Sequence, residues 1–307
     1  MTRVWFSRGL RGMIAKRIQI DLLRLGCAGK FSEDFVDGDY GPNTEAAVRL
    51  LQQKRKLPDT GSLDLMTWQV LTIDTLPSLF QRCLGITADF EGYGFESARG
   101  NVDGAGLTWG VIGFKLKNGE IQALLNEAEK RVHDVLARAM GPLAHDWKQI
   151  QKLPLAAQIA WADSISVGPD KVDIAPDWKN AFARLGKEPI LKYLQMEKAK
   201  QAYFLPAAGS AQKLRLRTEL GMAFAFDVHV QNGGFNEVLF DQARAFPESL
   251  TELERRRHLA ELVAGDASTR QQTEVYKRKL TIATGQGEHR GRRYCLPAWG
   301  VNESVFG

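Results

Sequence analysis

A glycine-rich segment, FEGYGFESARGNVDGAGLTWGVIGF (residues 90–114), interrupts an otherwise helical pattern in the middle of this chain. No ordinary helix can persist through so many glycines, because each one costs roughly 1 kcal/mol relative to alanine in a helix interior. The segment nevertheless carries three carboxyl groups, those of Glu91, Glu96 and Asp103. Any fold of this chain must therefore place a loop that bears acids between two apolar stretches.

Helical periodicity dominates residues 78–307 outside this segment. Only the run TWGVIGFKLKNGEI (residues 108–121) suggests strands, and we expect its turn at Asn118 and Gly119. The sequence therefore predicts a mainly α fold of the α+β class with little β-structure.

Three short helical patterns joined by turns occupy the N-terminal part. The third can be capped by Asp64, and the second by Asn43 or Thr44. The pattern predicts a small three-helix bundle in residues 1–75, joined without a flexible linker to a larger domain in residues 76–307. Four apolar residues spaced three and four apart form the buried stripe of the first helix: Ile14, Ile18, Leu22 and Leu25.

The N-terminal segments IQIDLLRLG, DGDYGPNTEAAV, LPDTG and TWQVL follow one another in an order that resembles the peptidoglycan-binding domain of the three-helix type. The resemblance implies a module that binds peptidoglycan glycan strands, with Asp37, Tyr40 and Trp68 in the matching motifs. Tyr40 and Trp68 are more often packing residues than sugar-stacking residues. The binding inference therefore depends on the module as a whole.

The acids of the glycine-rich segment suit glycoside hydrolysis, which needs one carboxylic acid to protonate the leaving oxygen and a second carboxylate to activate water or attack the sugar. Glu91 follows a predicted helix whose apolar residues favour a protonated carboxyl group, whereas Asp103 lies in a polar turn that favours an ionised one. The Thr108 hydroxyl can orient the attacking water. An isolated acid on such a loop is more often a solvated turn residue, and we interpret Glu96 in that way.

The stretch DGAGLTWGVIGF (residues 103–114) resembles the signature of family 46 chitosanases, and the order of helix, Glu, loop, Asp and Thr is similar to the lysozyme-like superfamily. The resemblance implies a two-lobed lysozyme-like helical domain with a short β-hairpin. It also implies an inverting glycoside hydrolase with Glu91 as general acid, Asp103 as general base and Thr108 positioning water.

The same resemblance implies substrate-binding roles for Glu120 and Asn232. The family pattern has an arginine and a tyrosine where this chain has Ala105 and Leu107. The family arginine and tyrosine help to hold a polycationic chitosan chain, so their replacement argues against chitosan as the substrate. The peptidoglycan-binding module on the same chain favours a cell-wall glycan instead.

Together these features indicate a peptidoglycan hydrolase, specifically a muramidase arranged like a modular phage endolysin. Three alternatives stay open: a chitosanase, a wall-degrading effector of a secretion system, and a wall-binding protein without catalysis. The absence of a signal-peptide pattern leads us to expect synthesis in the cytoplasm of a bacterial host, then release and action on periplasmic or cell-wall peptidoglycan.

Composition narrows the partners further. The net charge of +5 and the pI near 9.0 favour an anionic partner. The basic run HRGRR (residues 289–293) reads as a charged face, so we expect no nucleic acid as a partner. Cysteine and histidine spacing predicts reduced thiols, no metal site and no cofactor. We also expect a monomer with no stable membrane insertion.

Overall fold

The computed structural model describes residues 2–29, 34–92, 94–267 and 272–306. Helices make up most of these residues and the strands are few and short, which confirms the mainly α fold class. The chain forms two compact units, one built from residues 1–90 with 202–307 and one from residues 91–201. These units do not follow the domain boundary predicted near residue 75, and that boundary stays a prediction about the sequence.

The first unit begins with the three-helix bundle, formed by α1 (Met13–Arg24), α2 (Pro42–Lys54) and α3 (Leu65–Leu71). Ile14, Ile18 and Leu22 are buried as expected, while Leu25 ends α1 and is half-buried. The side chain of Asp64 caps α3 by accepting a hydrogen bond from the main-chain N–H of Thr67 at 2.8 Å, which confirms the predicted cap.

The predicted cap of α2 is wrong. Gly41 occupies the cap position and Pro42 begins the helix, so Asn43 and Thr44 both lie inside the first turn. Proline suits the first helical position because its ring fixes φ near the helical value and its missing N–H would have no intrahelical partner there. The buried Thr44 hydroxyl instead hydrogen-bonds to the side chain of Gln19 at 3.0 Å.

The remainder of the first unit surrounds one nearly fully buried helix, α12 (Glu219–Asn232). The other elements of this part are α4 (Leu79–Glu91), α11 (Leu205–Lys213), α13 (Glu237–Arg244), α14 (Glu252–Asp266), α15 (Gln272–Thr284) and a hairpin of β6 (Gln286–His289) with β7 (Arg292–Cys295). A π-helical turn, Lys200–Phe204, precedes α11, and a 3-10 turn, Leu296–Trp299, follows β7.

A buried ionic cluster joins α12 to α15. The carboxylate of Asp227 accepts hydrogen bonds from Arg278 at 2.6 Å and from Lys279 Nζ at 2.6 Å, and all three side chains are almost completely buried. The Thr87 hydroxyl of α4 donates to the same carboxylate at 3.2 Å. Burial alone raises the pKa of Asp227, but the two cations outweigh it and lower this pKa to about 2. Asp227 therefore stays ionised and connects three helices.

The second unit combines helices with two small antiparallel sheets. Its helices are α5 (Glu120–Arg131), α6 (Val135–Met140), α7 (Leu143–Ile150), α8 (Leu155–Ile165), α9 (Pro176–Lys187) and α10 (Pro189–Ala199). One sheet has the order β1 (Ala98–Arg99), β2 (Thr108–Trp109), β3 (Phe114–Lys115), and the other pairs β4 (Ser166–Val167) with β5 (Asp173–Ile174).

Aromatic rings form the core of this second unit. Trp109, Trp147 and Phe182 are fully buried, and Phe182 contacts both tryptophans with ring centroids 5.7 and 5.9 Å away. The Trp109 indole N–H donates to the main-chain oxygen of Phe182 at 3.2 Å, so the buried polar end of this ring is satisfied. This contact fixes β2, and with it Thr108, against α9.

The predicted β-hairpin exists, but its turn is not the predicted one. The chain reverses between β2 and β3 at residues 110–113, where Gly110 and Gly113 have φ angles of 90° and 74°. Asn118 and Gly119 do form a turn, yet it leads into α5 rather than into a strand. The β-propensity of the run does produce strands, and the glycines inside it set the position of the turn.

Candidate active site

The three-stranded sheet of the second unit organises the candidate active site. Arg99 of β1 pairs with Thr108 of β2, and Thr108 pairs with Lys115 of β3. Residues directly opposite in an antiparallel sheet project from the same face, so these three side chains form one row. On the other face Trp109 and Phe114 are buried in the core. The row therefore lies on the face of the sheet opposite these two aromatic rings.

Glu91 lies at one end of this row, as the last residue of α4, and is half-buried. The Arg99 guanidinium donates from Nη2 to the main-chain oxygen of Glu91 at 3.3 Å and to that of Gly92 at 3.5 Å. A cation at the carboxyl end of a helix satisfies exposed carbonyl groups and interacts favourably with the helix dipole. Arg99 thus holds the main chain of Glu91 and Gly92 against β1.

Asp103 is held at the other end of the row. Lys115 Nζ donates to its Oδ2 at 2.9 Å, and the main-chain N–H of Ala105 donates to its Oδ1 at 3.1 Å. Partial burial acts to raise the pKa of Asp103, but these hydrogen bonds and the lysine charge hold it below its usual value. The carboxyl group is 54% exposed, so it can meet both water and a ligand as an anion. This agrees with the ionised state expected from the sequence.

The loop that carries Asp103 is anchored by Asn101. Its Nδ2 donates to Asp163 Oδ1 of α8 at 2.9 Å, and its Oδ1 accepts from the main-chain N–H of Gly106 at 2.8 Å. Asp163 is fixed in turn by Lys171, whose Nζ lies 2.6 and 2.7 Å from its two oxygens. Asn101 thereby closes the 101–106 turn and attaches it to a helix.

Backbone constraints hold the same loop. A Cβ added to Gly100 would lie 2.5 Å from the main-chain oxygen of Lys171 and 2.7 Å from that of Asp173. Gly106 has a φ of 75°, and a Cβ there would lie 2.9 Å from a side-chain carbon of Leu116. These two glycines permit close packing of the loop, which explains part of the unusual glycine content of the segment.

Thr108 lies between the two charged ends of the row and is 9% exposed. Within the described residues, no hydrogen bond uses its hydroxyl group. Glu120 begins α5, and its Oε2 accepts a hydrogen bond from the main-chain N–H of Lys115 at 2.9 Å. The second unit therefore contains four of the predicted site residues, Glu91, Asp103, Thr108 and Glu120, on or beside one small sheet.

Asn232, the fifth predicted residue of the catalytic region, belongs to the other unit. It is the last residue of α12 and is exposed, and the chain leaves the helix through Gly233 in the left-handed conformation with a φ of 78°. Its role in substrate binding stays a prediction. Asp89, which lies close to Glu91 in the sequence, is largely buried and forms an ion pair with Arg11 at 3.4 Å, so its role is structural.

The three residues assigned to the N-terminal module all have contacts within the bundle. Tyr40 is fully buried and its hydroxyl donates to the main-chain oxygen of Gly61 at 2.8 Å. Trp68 is 3% exposed, and its indole N–H donates to the main-chain oxygen of Asp74 at 2.8 Å. Both rings therefore pack in the core and offer no face to a sugar. Asp37 Oδ1 accepts a hydrogen bond from Gln19 at 2.7 Å.

Arg99, Lys115 and Asn101 are the site residues that the sequence alone did not identify. Strand register brings Arg99 and Lys115 to the site, and Asn101 closes the loop. Sequence spacing does not reveal this, because Arg99 lies sixteen positions before Lys115 in a segment with no regular period. The lysine that directly precedes LKNGE in the β-rich run offered a weak signal. Side-chain alternation along the strands predicts that Lys115 and Thr108 share a face only when the turn at residues 110–113 is known.

No helix among the described residues has both the length and the apolar character needed to cross a membrane. In the same residues, no group of three or more His, Cys, Asp or Glu side chains is placed to hold a metal ion. Cys27, Cys83 and Cys295 are all free thiols, the first two buried and the third exposed.

Comparison with known proteins gives two family matches on this chain. Residues 14–71 match a peptidoglycan binding domain family, and residues 88–257 match glycosyl hydrolase family 46. No curated protein matches the chain. The second family match covers more than half of the chain and contains Glu91, Asp103, Thr108, Glu120 and Asn232.

Two solved structures are similar to parts of this structure. One is the crystal structure of a mutant chitosanase from Bacillus subtilis MY002 complexed with 6 GlcN, which is 15% identical and covers 68% of this chain and 88% of its own, with a TM-score of 0.47. The other is a chitosanase complex structure, 17% identical, covering 73% of this chain and 99% of its own, also with a TM-score of 0.47. Because the family match covers more than half of the chain, the protein belongs to glycosyl hydrolase family 46 and is a glycoside hydrolase.

Proposed function

We propose that this protein is a peptidoglycan hydrolase of the muramidase type, which cuts the β-1,4 linkage between N-acetylmuramic acid and N-acetylglucosamine. One observation carries the proposal: a single chain joins a peptidoglycan-binding match to a glycoside hydrolase match. The second match contains Glu91 and Asp103, two acids at the two ends of one sheet row, and the pKa of Asp103 is held below its usual value. A wall-binding module beside a glycosidase directs the enzyme to wall glycan.

The proposed reaction is hydrolysis with inversion. Glu91 donates a proton to the glycosidic oxygen as the bond to the anomeric carbon breaks, and Asp103 accepts a proton from the water that attacks the same carbon from the opposite face. A base must be ionised before it can accept this proton, and the lowered pKa of Asp103 supports that role. Thr108 lies in the row between them, where its hydroxyl can orient the water.

Glu120 and Asn232 complete the proposal as substrate-binding residues. The Glu120 carboxylate lies next to β3 through its hydrogen bond from the Lys115 main chain, so it is close to the strand that supports Asp103. A carboxylate there can accept hydrogen bonds from hydroxyl or acetamido N–H groups of a sugar. Asn232 is exposed and carries both an amide donor and an acceptor for such groups.

We infer a biological setting from the arrangement of the two family matches. A module for the wall placed ahead of one catalytic region is typical of phage endolysins, which are made in the bacterial host and reach peptidoglycan when the host membrane is opened. A wall-degrading effector delivered by a secretion system has the same chemistry and is the second setting. In either, the protein acts as a monomer on peptidoglycan strands.

The test is replacement of each proposed acid with its amide in the full chain. Glu91→Gln and Asp103→Asn should each reduce the release of reducing ends from purified murein by roughly two to four orders of magnitude. Glu96→Gln is the matched control, because Glu96 is an exposed acid of the same segment whose nearest ion-pair partner, Lys187, is 3.9 Å away.

Mass spectrometry of the digest and a parallel assay on chitosan decide among the alternatives. Products with a free reducing N-acetylmuramic acid support a muramidase, whereas a clear preference for chitosan would establish a chitosanase instead. A wild-type protein that binds murein and cleaves neither substrate would contradict the proposal and leave a wall-binding protein.

A further inference from the structure

Lys115 places a positive charge next to the carboxylate of Asp103, the proposed base. Its Nζ lies 2.9 Å from Asp103 Oδ2, and the side chains of the lysine and the aspartate are 42% and 54% exposed. An ion pair this exposed contributes little to stability, because water screens the attraction. It is, however, reachable by any sugar bound at Asp103. The pair is therefore better placed to interact with a ligand than to stabilise the fold.

The neighbouring loop presents no charge of its own at this position. Ala105 and Leu107, two and four residues after Asp103, have side chains that are 5% and 0% exposed. The polar character of the sheet face next to Asp103 is thus set by Lys115 and by Thr108, which pairs with it across the strands. The cation that a substrate meets beside the base is Lys115, and the carboxylate of Glu120 lies next to the main chain of the same residue.

We propose that Lys115 determines substrate specificity by accepting a glycan with a carboxylate on the sugar beside Asp103 and rejecting one with a protonated amine there. The inference rests on the proposed function and adds the feature of the substrate that is selected. Where its stem peptide has been removed, N-acetylmuramic acid carries a lactyl carboxylate, and its acetamido group is uncharged. A deacetylated glucosamine chain carries an ammonium group instead. The Lys115 ammonium group attracts the lactyl carboxylate and repels the ammonium group of glucosamine at short range. One lysine therefore favours the first glycan and disfavours the second.

The experiment compares three substrates with the full-length protein. The first is murein glycan freed of its peptides, with the lactyl carboxylates intact. The second is the same glycan with those carboxylates chemically reduced to alcohols, and the third is a soluble chitosan oligomer. Initial rates of reducing-end formation give kcat and KM for each.

Three variants separate charge from shape. Lys115→Gln removes the charge but keeps a donor of similar reach, and Lys115→Arg keeps the charge. Lys152→Gln is the matched control, because Lys152 is an exposed lysine of the same unit whose Nζ hydrogen-bonds to Gln149 rather than to an acid. The control removes the same unit of net charge away from the sheet row.

We expect the wild type to cleave the carboxylate-bearing glycan about fivefold more efficiently than the reduced glycan, the upper end for one exposed charge contact. Lys115→Gln should bring that ratio close to one through a higher KM and should raise kcat/KM for chitosan about fivefold. Lys115→Arg and Lys152→Gln should keep the wild-type ratios. The acid limb of the kcat/KM profile should also move to higher pH in Lys115→Gln, because the lysine no longer favours the ionised base.

Unchanged substrate ratios in Lys115→Gln would overturn the inference while leaving the proposed muramidase intact. An equal change in Lys152→Gln would also overturn it, since overall charge would then explain the effect. If the wild type cleaves none of the three glycans, the proposed function itself fails and the inference fails with it.

Discussion

Asn101 offers the sharpest test of how the Asp103 loop is held, because one side chain makes both closing contacts. Asn101→Ala removes the 2.9 Å hydrogen bond to Asp163 and the 2.8 Å hydrogen bond from Gly106 N–H. The main-chain hydrogen bond from Asn101 to the Ser166 hydroxyl, at 2.9 Å, does not depend on the side chain and should remain. The substitution therefore loosens the loop without detaching it.

The size of the effect follows from these two contacts. A neutral hydrogen bond contributes about 1 kcal/mol, and one to a charged group about 1.5 kcal/mol at the low end that suits a half-buried site. The free energy of unfolding should then fall by about 2 to 3 kcal/mol. A base misplaced by about 1 Å costs up to roughly 100-fold in rate, so kcat on murein should fall about 10 to 100-fold while KM changes little.

Two measurements check this expectation: denaturant unfolding for stability, and initial rates of reducing-end release at a temperature where the variant is fully folded. Asn118→Ala is the control, because Asn118 is an exposed asparagine in a turn of the same unit. Asn101→Asp should be worse than Asn101→Ala, because its carboxylate would face that of Asp163. An Asn101→Ala variant that is destabilised but retains the full kcat would refute the view that this residue positions the base.

Three further predictions concern stability and can be checked by denaturant unfolding. The pKa of Asp227, about 2, lies below its ordinary value of 3.8, so ionised Asp227 should contribute about 2 kcal/mol to the free energy of unfolding above pH 4. This contribution should disappear as the pH falls through 2, and the free energy of unfolding of Asp227→Asn should fall less steeply over the same range. Gly100→Ala should cost about 1 to 3 kcal/mol, because its methyl group would lie 2.5 Å from the main-chain oxygen of Lys171; equal stability would contradict this packing. Tyr40→Phe should cost about 1 to 2 kcal/mol by leaving the Gly61 oxygen unpaired, with no change in murein pull-down; a loss of binding at unchanged stability would reverse the assignment of Tyr40 to the core.

The features that could be predicted from sequence are those set by neighbours along the chain. The stripe of α1, the Asp64 cap and the helix that ends at Glu91 all follow from spacing within a few residues. The same local reasoning placed Asp103 in a polar turn, where the structure gives it a lowered pKa. It failed at the start of α2, where Pro42 outweighed two good capping residues.

The features that could not be predicted depend on pairing between distant residues. The row of Arg99, Thr108 and Lys115 requires the register of three two-residue strands, and strands this short leave almost no periodic pattern. The first unit likewise joins residues 1–90 to residues 202–307, and no local sequence pattern in either segment predicts that they pack together. The Asp227 cluster is part of that association, because Thr87 comes from the first segment while Asp227 and its two cations come from the second. The sequence around a buried acid in a helix does not indicate which cations will pair with it.

The basic run at residues 289–293 shows how a composition-based interpretation misses structure. It forms the turn of the β6–β7 hairpin, with Arg290 and Gly291 at φ angles of 49° and 72°. Positive φ at both central positions is typical of the tight turns that connect antiparallel strands. Its first residue, His289, is 3% exposed and its ring lies 5.4 Å from that of Phe90, so only part of the run is a charged face.

The most direct test of the proposed mechanism is the configuration of the first product. Proton NMR of the anomeric signals, recorded during the first minutes of murein glycan cleavage and before mutarotation, distinguishes inversion from retention. With Glu91 as acid and Asp103 activating water, cleavage of the β-linkage should release the α-anomer first. A β-anomer as the first product would contradict the account, because retention requires a double displacement in which a carboxylate or the substrate's own acetamido group attacks the anomeric carbon in place of water.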